Sequence, residues 1–385
     1  MPFRRFASSR WLAPPIQTAS FKALLVIPIL LSIATFAALF AHSEVDIALL
    51  WSQCHSRARI PALSHIPLLG TPSCFLVSFF QCALDSLRSR AVMAVILAYV
   101  GALATVCTVE SARRCNRPSA LIAKPTLWWL LFNLLGGAMV WQLVIVPAFL
   151  HRAKALVLAK QAWGDGGDEA VAAAGLGSEA DSDATNAKEQ GRTLPDSEAV
   201  AIPIAVAVGY FLPSILMLVY NTPAVITIWL FFPLYVSLVR QGVRHIIERI
   251  RRVSPTSIHH ESHWQCVALL YTLPVVLSIA AHVFVLWNIA QDDDRKKMTK
   301  LTVSFIEIDF QFIAWTVLYW VFVEAGWKVP LSMIGISILA GPGAGTCLGW
   351  LYRERLVRKG FAALVDEAFI DDNEDRLGEE APLLR

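Results

Sequence analysis

The sequence predicts an all-α protein: a polytopic bundle of transmembrane helices, with about eight spans and one possible re-entrant segment. Three observations support this. The chain of 385 residues is 56% hydrophobic and only 16% charged, and its mean hydropathy is +0.54, well outside the range of soluble domains. Apolar windows of about twenty residues, the length of a spanning helix, recur along it. The first, Phe21–Ala41, is too long for a signal-peptide core, so we expect it to be retained as a span.

The remaining windows divide the chain into predicted spans. They fall at Arg90–Val109, Leu127–Leu150, Ile202–Tyr220, Pro223–Val239, Cys266–Ile289, Leu301–Glu324 and Val329–Leu351. A further segment, Ile66–Leu84, opens with Pro67, Gly70 and Pro72, which break a regular helix at its start. It therefore spans the membrane, re-enters it or lies at its interface. Irregular backbone at membrane depth must line protein or water.

Composition sets the predicted domain boundaries. We assign residues 1–161 to an N-terminal transmembrane group and 199–352 to a C-terminal one. Residues 162–198 are rich in Gly, Ala, Asp, Glu, Ser and Thr without sustained apolar periodicity, which predicts a disordered loop. Residues 353–385 are acidic and are predicted to form a soluble tail.

Several function classes are disfavoured. The net charge of +3 and the absence of basic clusters interleaved with aromatic residues exclude a nucleic-acid surface. The seven cysteines are scattered without a CxxC pair, so neither structural zinc nor a disulfide framework is expected. Asp292, Asp293 and Asp294 resemble magnesium-binding carboxylates but stand alone beside Arg295, which favours a solvated loop. We therefore expect no metal and no cofactor.

The stretch Thr302–Trp327 is the strongest functional candidate. It is apolar and aromatic enough to span a bilayer, yet it contains Glu307, Asp309 and Glu324. Ionisable groups inside a membrane are costly and usually face a bundle interior or cavity. A carboxylic acid in a dry pocket can keep its proton at neutral pH and donate it, and aromatic faces can stabilise the cation that results.

Helical periodicity places the acids of this stretch on two faces. At about 100° per residue, Ser304, Glu307 and Gln311 share one face, whereas Asp309, Thr316 and Trp320 lie nearly opposite. The helix is therefore expected to be central in the bundle, with one acid face lining a pocket while the other holds helices together. Glu307 and Asp309 are the predicted catalytic residues. Glu324 is placed behind them because it lies near the end of the span.

The predicted substrate pocket combines aromatic and polar side chains from several spans. Its members are Gln311, Tyr319, Trp320, Trp315, Trp141, Asn133, Asp85 and Glu110. Some also have a structural interpretation: Asn133 as a packing residue between helices, and Asp85 and Glu110 as solvated helix ends. An interfacial belt suits Trp141, Trp315 and Trp320 less well than the tryptophans near span ends. The orientation is undecided, because Lys and Arg are nearly equal on the two sides whichever way Ile66–Leu84 is counted.

Five stretches resemble the fungal integral-membrane terpene cyclases of meroterpenoid pathways, such as those of the ascofuranone and macrophorin routes. They begin at Gly70 (GTPSCFLVSFFQCALDS), Pro125 (PTLWWLLFNLLGGAMVWQLVIVPAF), Ala201 (AIPIAVAVGYFLPSILML), Ile228 (IWLFFPLYVSLVRQ) and Phe305 (FIEIDFQFIAWTVLYWVFVEAGWKV). The resemblance implies a metal-independent enzyme that protonates an alkene or epoxide of a farnesyl-type chain and guides ring closure. The DxDD motif of soluble class II cyclases is absent.

Two alternatives stay open at this stage. A proton-coupled transporter would also place acids at mid-membrane, but should show broken helices in paired positions. A non-enzymatic receptor or scaffold would use the acids for packing. In each case the expected setting is a multi-pass protein of the endoplasmic reticulum or another endomembrane, in contact with lipid and, for a cyclase, with a hydrophobic isoprenoid substrate.

Overall fold

A computed structural model of the chain describes residues 14–42, 48, 50, 52, 70–164, 194–251 and 264–356. All regular secondary structure in these ranges is helical. By length and composition, six helices could cross a membrane, or seven if the bent pair Pro223–Leu230 and Phe232–Ile250 counts as one span. The predicted fold class, a polytopic helix bundle, is confirmed.

We number the helices in chain order, leaving out the short helical turns Pro15–Thr18, Arg114–Asn116 and Ala120–Ala123. They are α1 (Phe21–His42), α2 (Gly70–Ala83), α3 (Leu87–Ala112), α4 (Thr126–Leu135), α5 (Gly137–Val140, then a π-helical turn Trp141–Ile145, then Val146–Gly164), α6 (Asp196–Val206, a π-helical turn Ala207–Phe211 and Leu212–Tyr220), α7 (Pro223–Leu230), α8 (Phe232–Arg251), α9 (Trp264–Ile289), α10 (Lys297–Ala325), α11 (Lys328–Ala340) and α12 (residues 342–356).

Helices α3 and α10 run parallel and define the two faces of the bundle. At their first residues, the Leu87 amide donates to Asp294 at 2.7 Å. Near their last residues, Glu110 and Glu324 both bind Arg353. We call these ends the Asp294 face and the Glu110 face. At about 1.5 Å per residue, α3 is about 39 Å long, enough to cross a bilayer.

Contacts near their ends place the other crossing helices. The Tyr319 hydroxyl donates to the Leu24 carbonyl, so α1 begins near the Glu110 face. Arg240 on α8 binds both Glu198 at the start of α6 and Ser111 near the end of α3. At the opposite face, Arg88 donates to the carbonyl of Gln291, which follows α9. Thus α1, α3, α6, α7–α8, α9 and α10 connect the two faces.

The predicted span Leu127–Leu150 is wrong, because the chain folds back inside the bundle. Gly136 separates α4 from α5 with φ = 115°, a conformation that side chains other than glycine rarely adopt. Pro125 and Trp129 on one side, and Ile145 and Ala148 on the other, line the same cleft. A continuous helix would hold such residues over 20 Å apart. Helices α4 and α5 therefore form a hairpin that starts and returns at the Glu110 face.

The predicted span Val329–Leu351 is wrong for the same reason. Gly341, at φ = 88°, separates α11 from α12. A Cβ on Gly345 would collide with Ser337, and one on Gly349 with Met333, so the two helices pack antiparallel. The hairpin tip is buried at mid-bundle, where the Ala344 amide donates to Ser278 Oγ on α9 at 2.9 Å. Arg353 returns the chain to the Glu110 face.

The remaining predicted segments differ in length from their helices. Within Ile66–Leu84 the described helix is α2, Gly70–Ala83, and residues 66–69 lie outside the described residues. The predicted span Pro223–Val239 bends by 60° between α7 and α8. Helices reach Gly164 and begin at Asp196, inside the ends of the predicted 162–198 loop, and α12 extends to residue 356. Residues 165–193 and 357–385 lie outside the described residues.

Cys74 on α2 is disulfide-bonded, whereas the scattered cysteines predict no disulfide framework. Cys82, Cys107, Cys115 and Cys347 are free.

Replacing Gly341 by alanine is expected to destabilise the α11–α12 hairpin. Alanine would have to keep the backbone at φ = 88° and ψ = 157°, a region essentially limited to glycine that costs about 1–3 kcal/mol, and its Cβ would lie 2.9 Å from Ser278 Oγ. Gly335→Ala on α11 is the matched control, because a Cβ there meets nothing within 4 Å and alanine favours the helix. Thermal unfolding in detergent should show a lower midpoint for Gly341→Ala alone. Equal midpoints would contradict this account of the tip.

Candidate active site

Asp309 occupies the bundle interior, where it binds the start of a helix. Its Oδ1 accepts the Ala138 amide at 3.1 Å, and a Cβ on Gly137 would lie 2.9 Å from Oδ2. Unpaired amides and the helix dipole make a helix N-terminus favourable for an anion. This explains why an acid stands at mid-membrane on α10: it compensates the N-terminus that the break at Gly136 creates.

Glu307 lies on the outward face of α10. Ser304, Glu307, Gln311 and Trp315 are all exposed, with Trp315 46% exposed. The prediction that Glu307 and Asp309 point to different faces is therefore confirmed. The structure does not bring these two predicted catalytic residues together. Their catalytic role stays a prediction.

A buried ionised cluster joins three helices at the Glu110 face. It consists of Glu110, Arg113, Glu324, Arg353 and Glu354, which we call the acid cluster. Arg353 contacts all three carboxylates: Glu324 directly, Glu354 at 2.8 Å and Glu110 at 3.5 Å. Arg113 contacts Glu354 at 2.9 Å and Glu110 at 3.3 Å. Glu110 and Arg353 are each 5% exposed.

Among the described residues, the acid cluster joins three carboxylates to two guanidinium groups. Removing one partner from such a buried ionic site leaves the others uncompensated, which is costly. Asn116 completes it by donating to Glu110 Oε2 at 2.9 Å.

Five aromatic rings extend from the acid cluster into the bundle. These rings, our aromatic cluster, belong to Trp129, Trp141, Phe149, Trp320 and Trp350. Trp320 lies 4.4 Å from Phe149, 4.7 Å from Trp350 and 6.1 Å from Trp141 between ring centroids, and Trp129 lies 6.1 Å from Trp141. Two contacts join the clusters: Trp320 Nε1 donates to Glu324 at 2.7 Å, and the Arg353 guanidinium lies 4.2 Å from the Trp350 ring.

Outside the arginines, three buried donors near these clusters have no hydrogen-bond partner within the described part of the chain. They are Trp141 Nε1, Trp350 Nε1 and the Tyr271 hydroxyl. Buried polar atoms are nearly always satisfied in folded proteins, and exceptions call for a functional explanation or a bound molecule. These donors could bind oxygen atoms of a substrate.

An apolar cleft adjoins the aromatic cluster between α3 and the α4–α5 hairpin. Cys107, Ile122, Trp129, Ile145 and Phe149 are among its lining residues, and its volume is about 20 Å³. That space holds about one water molecule. A farnesyl chain needs many times more, so binding one requires the hairpin and its neighbours to separate.

The other predicted pocket residues are distributed over the bundle. Trp141 and Trp320 lie in the aromatic cluster, and Glu110 lies in the acid cluster. Asn133 donates to the Leu230 carbonyl at 2.9 Å, which satisfies the helix end at the α7–α8 bend. Asp85 binds Lys296 at 2.8 Å at the Asp294 face, and Tyr319 binds α1. Gln311 and Trp315 face outward.

Sequence reasoning missed Arg353, Glu354 and Arg113 and ranked Glu324 too low as a cluster member. Arg353 and Glu354 had been assigned to the soluble tail, because that boundary was read from composition. One signal was available: Trp320 and Glu324 are four residues apart on one helical face, so an indole donor beside the carboxylate could have been predicted.

The acidic loop before α10 has structural partners. Asp293 binds Arg295 at 2.9 Å and Lys300 at 3.0 Å, and the Arg295 hydrogen bond is the main cause that lowers the pKa of Asp293. Asp294 accepts the Leu87 and Arg88 amides at the start of α3. In the described part of the chain, no group of three or more His, Cys, Asp or Glu side chains is arranged to hold a metal ion.

Asp294→Ala is expected to destabilise the protein by about 0.5–2 kcal/mol, the range for losing a side chain that caps helix amides, since Asp294 accepts the first amides of α3 beside the N-cap Ser86. Burial acts to raise the pKa of Asp294, but hydrogen bonds from the Leu87 and Arg88 amides and from Ser86 together outweigh it, and the pKa is lowered. Its stabilising contribution is therefore complete above the unfolded-state pKa of about 4 and is lost as pH falls through the folded-state value. The unfolding midpoints of the parent and of Asp294→Ala should converge in acid. Asp292→Ala, at an exposed position, is the control. If the midpoints of the parent and of Asp294→Ala differ by the same amount at all pH values, Asp294 does not stabilise the start of α3 through its charge.

The fold and the site define a multi-pass helical membrane protein with buried ionised and aromatic clusters at one face. Within it, residues 175–293 match the family model described as the CtvD domain. The match includes α6 to α9 and omits the acid cluster. No curated protein and no solved structure matches the chain.

Proposed function

We propose that this protein is an integral-membrane terpene cyclase that protonates an alkene or epoxide of a farnesyl-type chain on a meroterpenoid precursor. The acid cluster beside the aromatic cluster is the observation that carries the proposal. The CtvD domain name is associated with terpene and meroterpenoid cyclases, in agreement with the resemblance of five stretches to that group.

The proposed reaction starts with the proton of the acid cluster. A carboxyl of Glu324 or Glu110 adds its proton to the terminal alkene carbon, or to the epoxide oxygen as the C–O bond breaks. The resulting carbocation is attacked by a neighbouring alkene, which forms the ring bond. Loss of a proton from carbon, or from a hydroxyl that traps the cation, ends the reaction and restores the proton balance. The product is an isomer of the substrate.

The aromatic cluster supplies the second requirement, stabilisation of the cation. Ring faces attract a desolvated cation by about 2 kcal/mol or more. Trp320 is suited to this role because its N–H is held by Glu324 while its ring lies between Phe149 and Trp350. Trp320 therefore lies next to both Glu324, a proposed proton donor, and the apolar rings of the aromatic cluster.

Trp320→Leu is expected to reduce product formation by about 30-fold, the rate equivalent of about 2 kcal/mol of cation stabilisation. Trp320→Phe keeps a ring face but loses the hydrogen bond to Glu324, so it should retain more activity than leucine. Trp315→Leu, at an exposed position on the same helix, is the control for expression and folding. Product should be measured per folded protein by chromatography. Equal activity of the leucine and phenylalanine variants would argue against a cation-stabilising ring.

A proton-coupled transporter is the second candidate, because such carriers contain broken helices and this bundle has breaks at Gly136 and between α7 and α8. Transporter substrates commonly bind at the ends of broken helices. Here Asp309 already binds the α5 N-terminus, and Asn133 binds the end of α7. Because these helix ends have protein partners, the breaks support a cyclase with re-entrant hairpins better than a carrier.

Membrane vesicles with the purified chain distinguish the candidates. The vesicles are incubated with a farnesylated aromatic compound, with or without a terminal epoxide, in the presence of EDTA. A cyclase converts either compound into a cyclic product with the same mass as the compound supplied. Accumulation of unchanged compound inside sealed vesicles, driven by a pH gradient, would instead establish a transporter. Neither product nor accumulation would favour a receptor or scaffold.

A further inference from the structure

The two faces of the bundle differ in basic side chains. At the Glu110 face, the described helix ends and their connections contain Lys22, Arg113, Arg114, Arg117, Lys124, Arg152, Lys154, Arg240, Arg244, Arg249, Lys328, Arg353 and Arg355. In the same ranges, the Asp294 face contains Arg88, Arg90, Arg295, Lys296, Lys297 and Lys300. Membrane proteins orient so that Lys and Arg near the span ends accumulate on the cytosolic side.

This asymmetry appears only once the hairpins are known. Counted as spans, Leu127–Leu150 and Val329–Leu351 would carry the chain across the membrane, and each later group of arginines would change sides. Because α4–α5 turns back at Gly136, the connection after α3 and the start of α6 lie on one side. Arg240 confirms this by binding Glu198 on α6 and Ser111 on α3 together.

Cys74 gives an independent indication. It is disulfide-bonded, and disulfides form and persist mainly in oxidising compartments. Helix α2, which contains it, ends at the Asp294 face, since Asp85 just beyond the helix binds Lys296. The helix that carries Cys74 thus joins the Asp294 face, and its disulfide agrees with an oxidising compartment on that side.

We infer that the protein lies in the membrane with the Glu110 face toward the cytosol, so that the acid cluster is reached from the cytosolic side. The Asp292–Lys296 connection then faces the lumen. One consequence rests on the proposed function: the cyclase takes up protons from the cytosol and its amphiphilic substrate from the cytosolic leaflet. The orientation itself does not depend on that function.

Glycosylation mapping tests the orientation directly. The sequence contains no Asn-x-Ser/Thr acceptor, so the parent protein gives no background. An acceptor flanked by a Gly-Ser spacer is inserted between Gln291 and Asp292 in one variant and after Arg249 in another. In microsomes the first variant should gain an endoglycosidase-sensitive mass increase and the second should not. The reverse pattern would overturn the inference.

Single substitutions serve where an insertion disturbs folding. Asp292 and Arg249 are both exposed, and each is replaced by cysteine and treated with a membrane-impermeant maleimide in sealed, cytosolic-side-out vesicles. Arg249→Cys should be labelled at once, and Asp292→Cys only after permeabilisation, each relative to the parent with its natural cysteines. If Asp292→Cys is labelled at once and Arg249→Cys is not, the inferred orientation is wrong. Labelling is independent of catalysis, so an inactive protein with the expected pattern would contradict only the proposed reaction.

Discussion

Glu324→Gln is expected to reduce formation of the cyclic product by at least about 100-fold, the lower range for loss of a general acid. The carboxamide keeps an oxygen that can accept the Trp320 N–H but has no acidic proton to donate. The bundle should stay folded, because the carboxamide oxygen can still accept hydrogen bonds from Arg353 and Trp320. Product per folded protein is the measurement, with the unfolding midpoint recorded for each variant.

Three further carboxamides make this result specific. Glu110→Gln tests whether the proton is shared across the cluster, and a comparable loss would indicate that both carboxylates are required. Glu307→Gln and Asp309→Asn test the catalytic pair predicted from sequence. If either abolishes the product while Glu324→Gln and Glu110→Gln retain it, the proton donor is at mid-helix on α10 and the acid cluster is structural.

The geometry of α10 was predictable from its sequence because a regular helix fixes the angle between its residues. Placing Glu307 and Asp309 on different faces needs only 100° per residue, and the structure has one exposed and one buried. What each acid contacts was not predictable. Asp309 binds Ala138, a residue far away in the chain, and no pattern within α10 identifies that partner.

The hairpins could not be derived from hydropathy, which reports how apolar a window is but not the direction of the chain within it. Leu127–Leu150 is long enough to span, and its Gly136-Gly137 pair equally suits close helix packing. The reversal depends on a positive φ at Gly136 and on a carboxylate from another helix to bind the new N-terminus. Both are properties of the assembled bundle. Orientation was undecidable from sequence for the same reason, since each hairpin changes the sides assigned to later arginines.

Arg353→Met is expected to destabilise the protein by about 3–5 kcal/mol, the usual cost of removing one partner from a buried ionic site. Methionine matches the apolar stem of arginine but leaves Glu110 and Glu324 without their shared guanidinium, and it removes the contact with the Trp350 ring. Thermal or denaturant unfolding in detergent is the measurement. Arg355→Met, two residues along the same helix and exposed, should change stability little.

A double variant separates charge from packing as the origin of this loss. If uncompensated negative charge is the cause, Arg353→Met combined with Glu324→Gln should be more stable than Arg353→Met alone, because the second change removes one of the stranded carboxylates. If lost packing against Trp350 is the cause, the two effects should add without recovery. If the double variant regains stability but not activity, Arg353 stabilises the cluster and Glu324 supplies its reactive proton. The two residues then have different roles within one set of contacts.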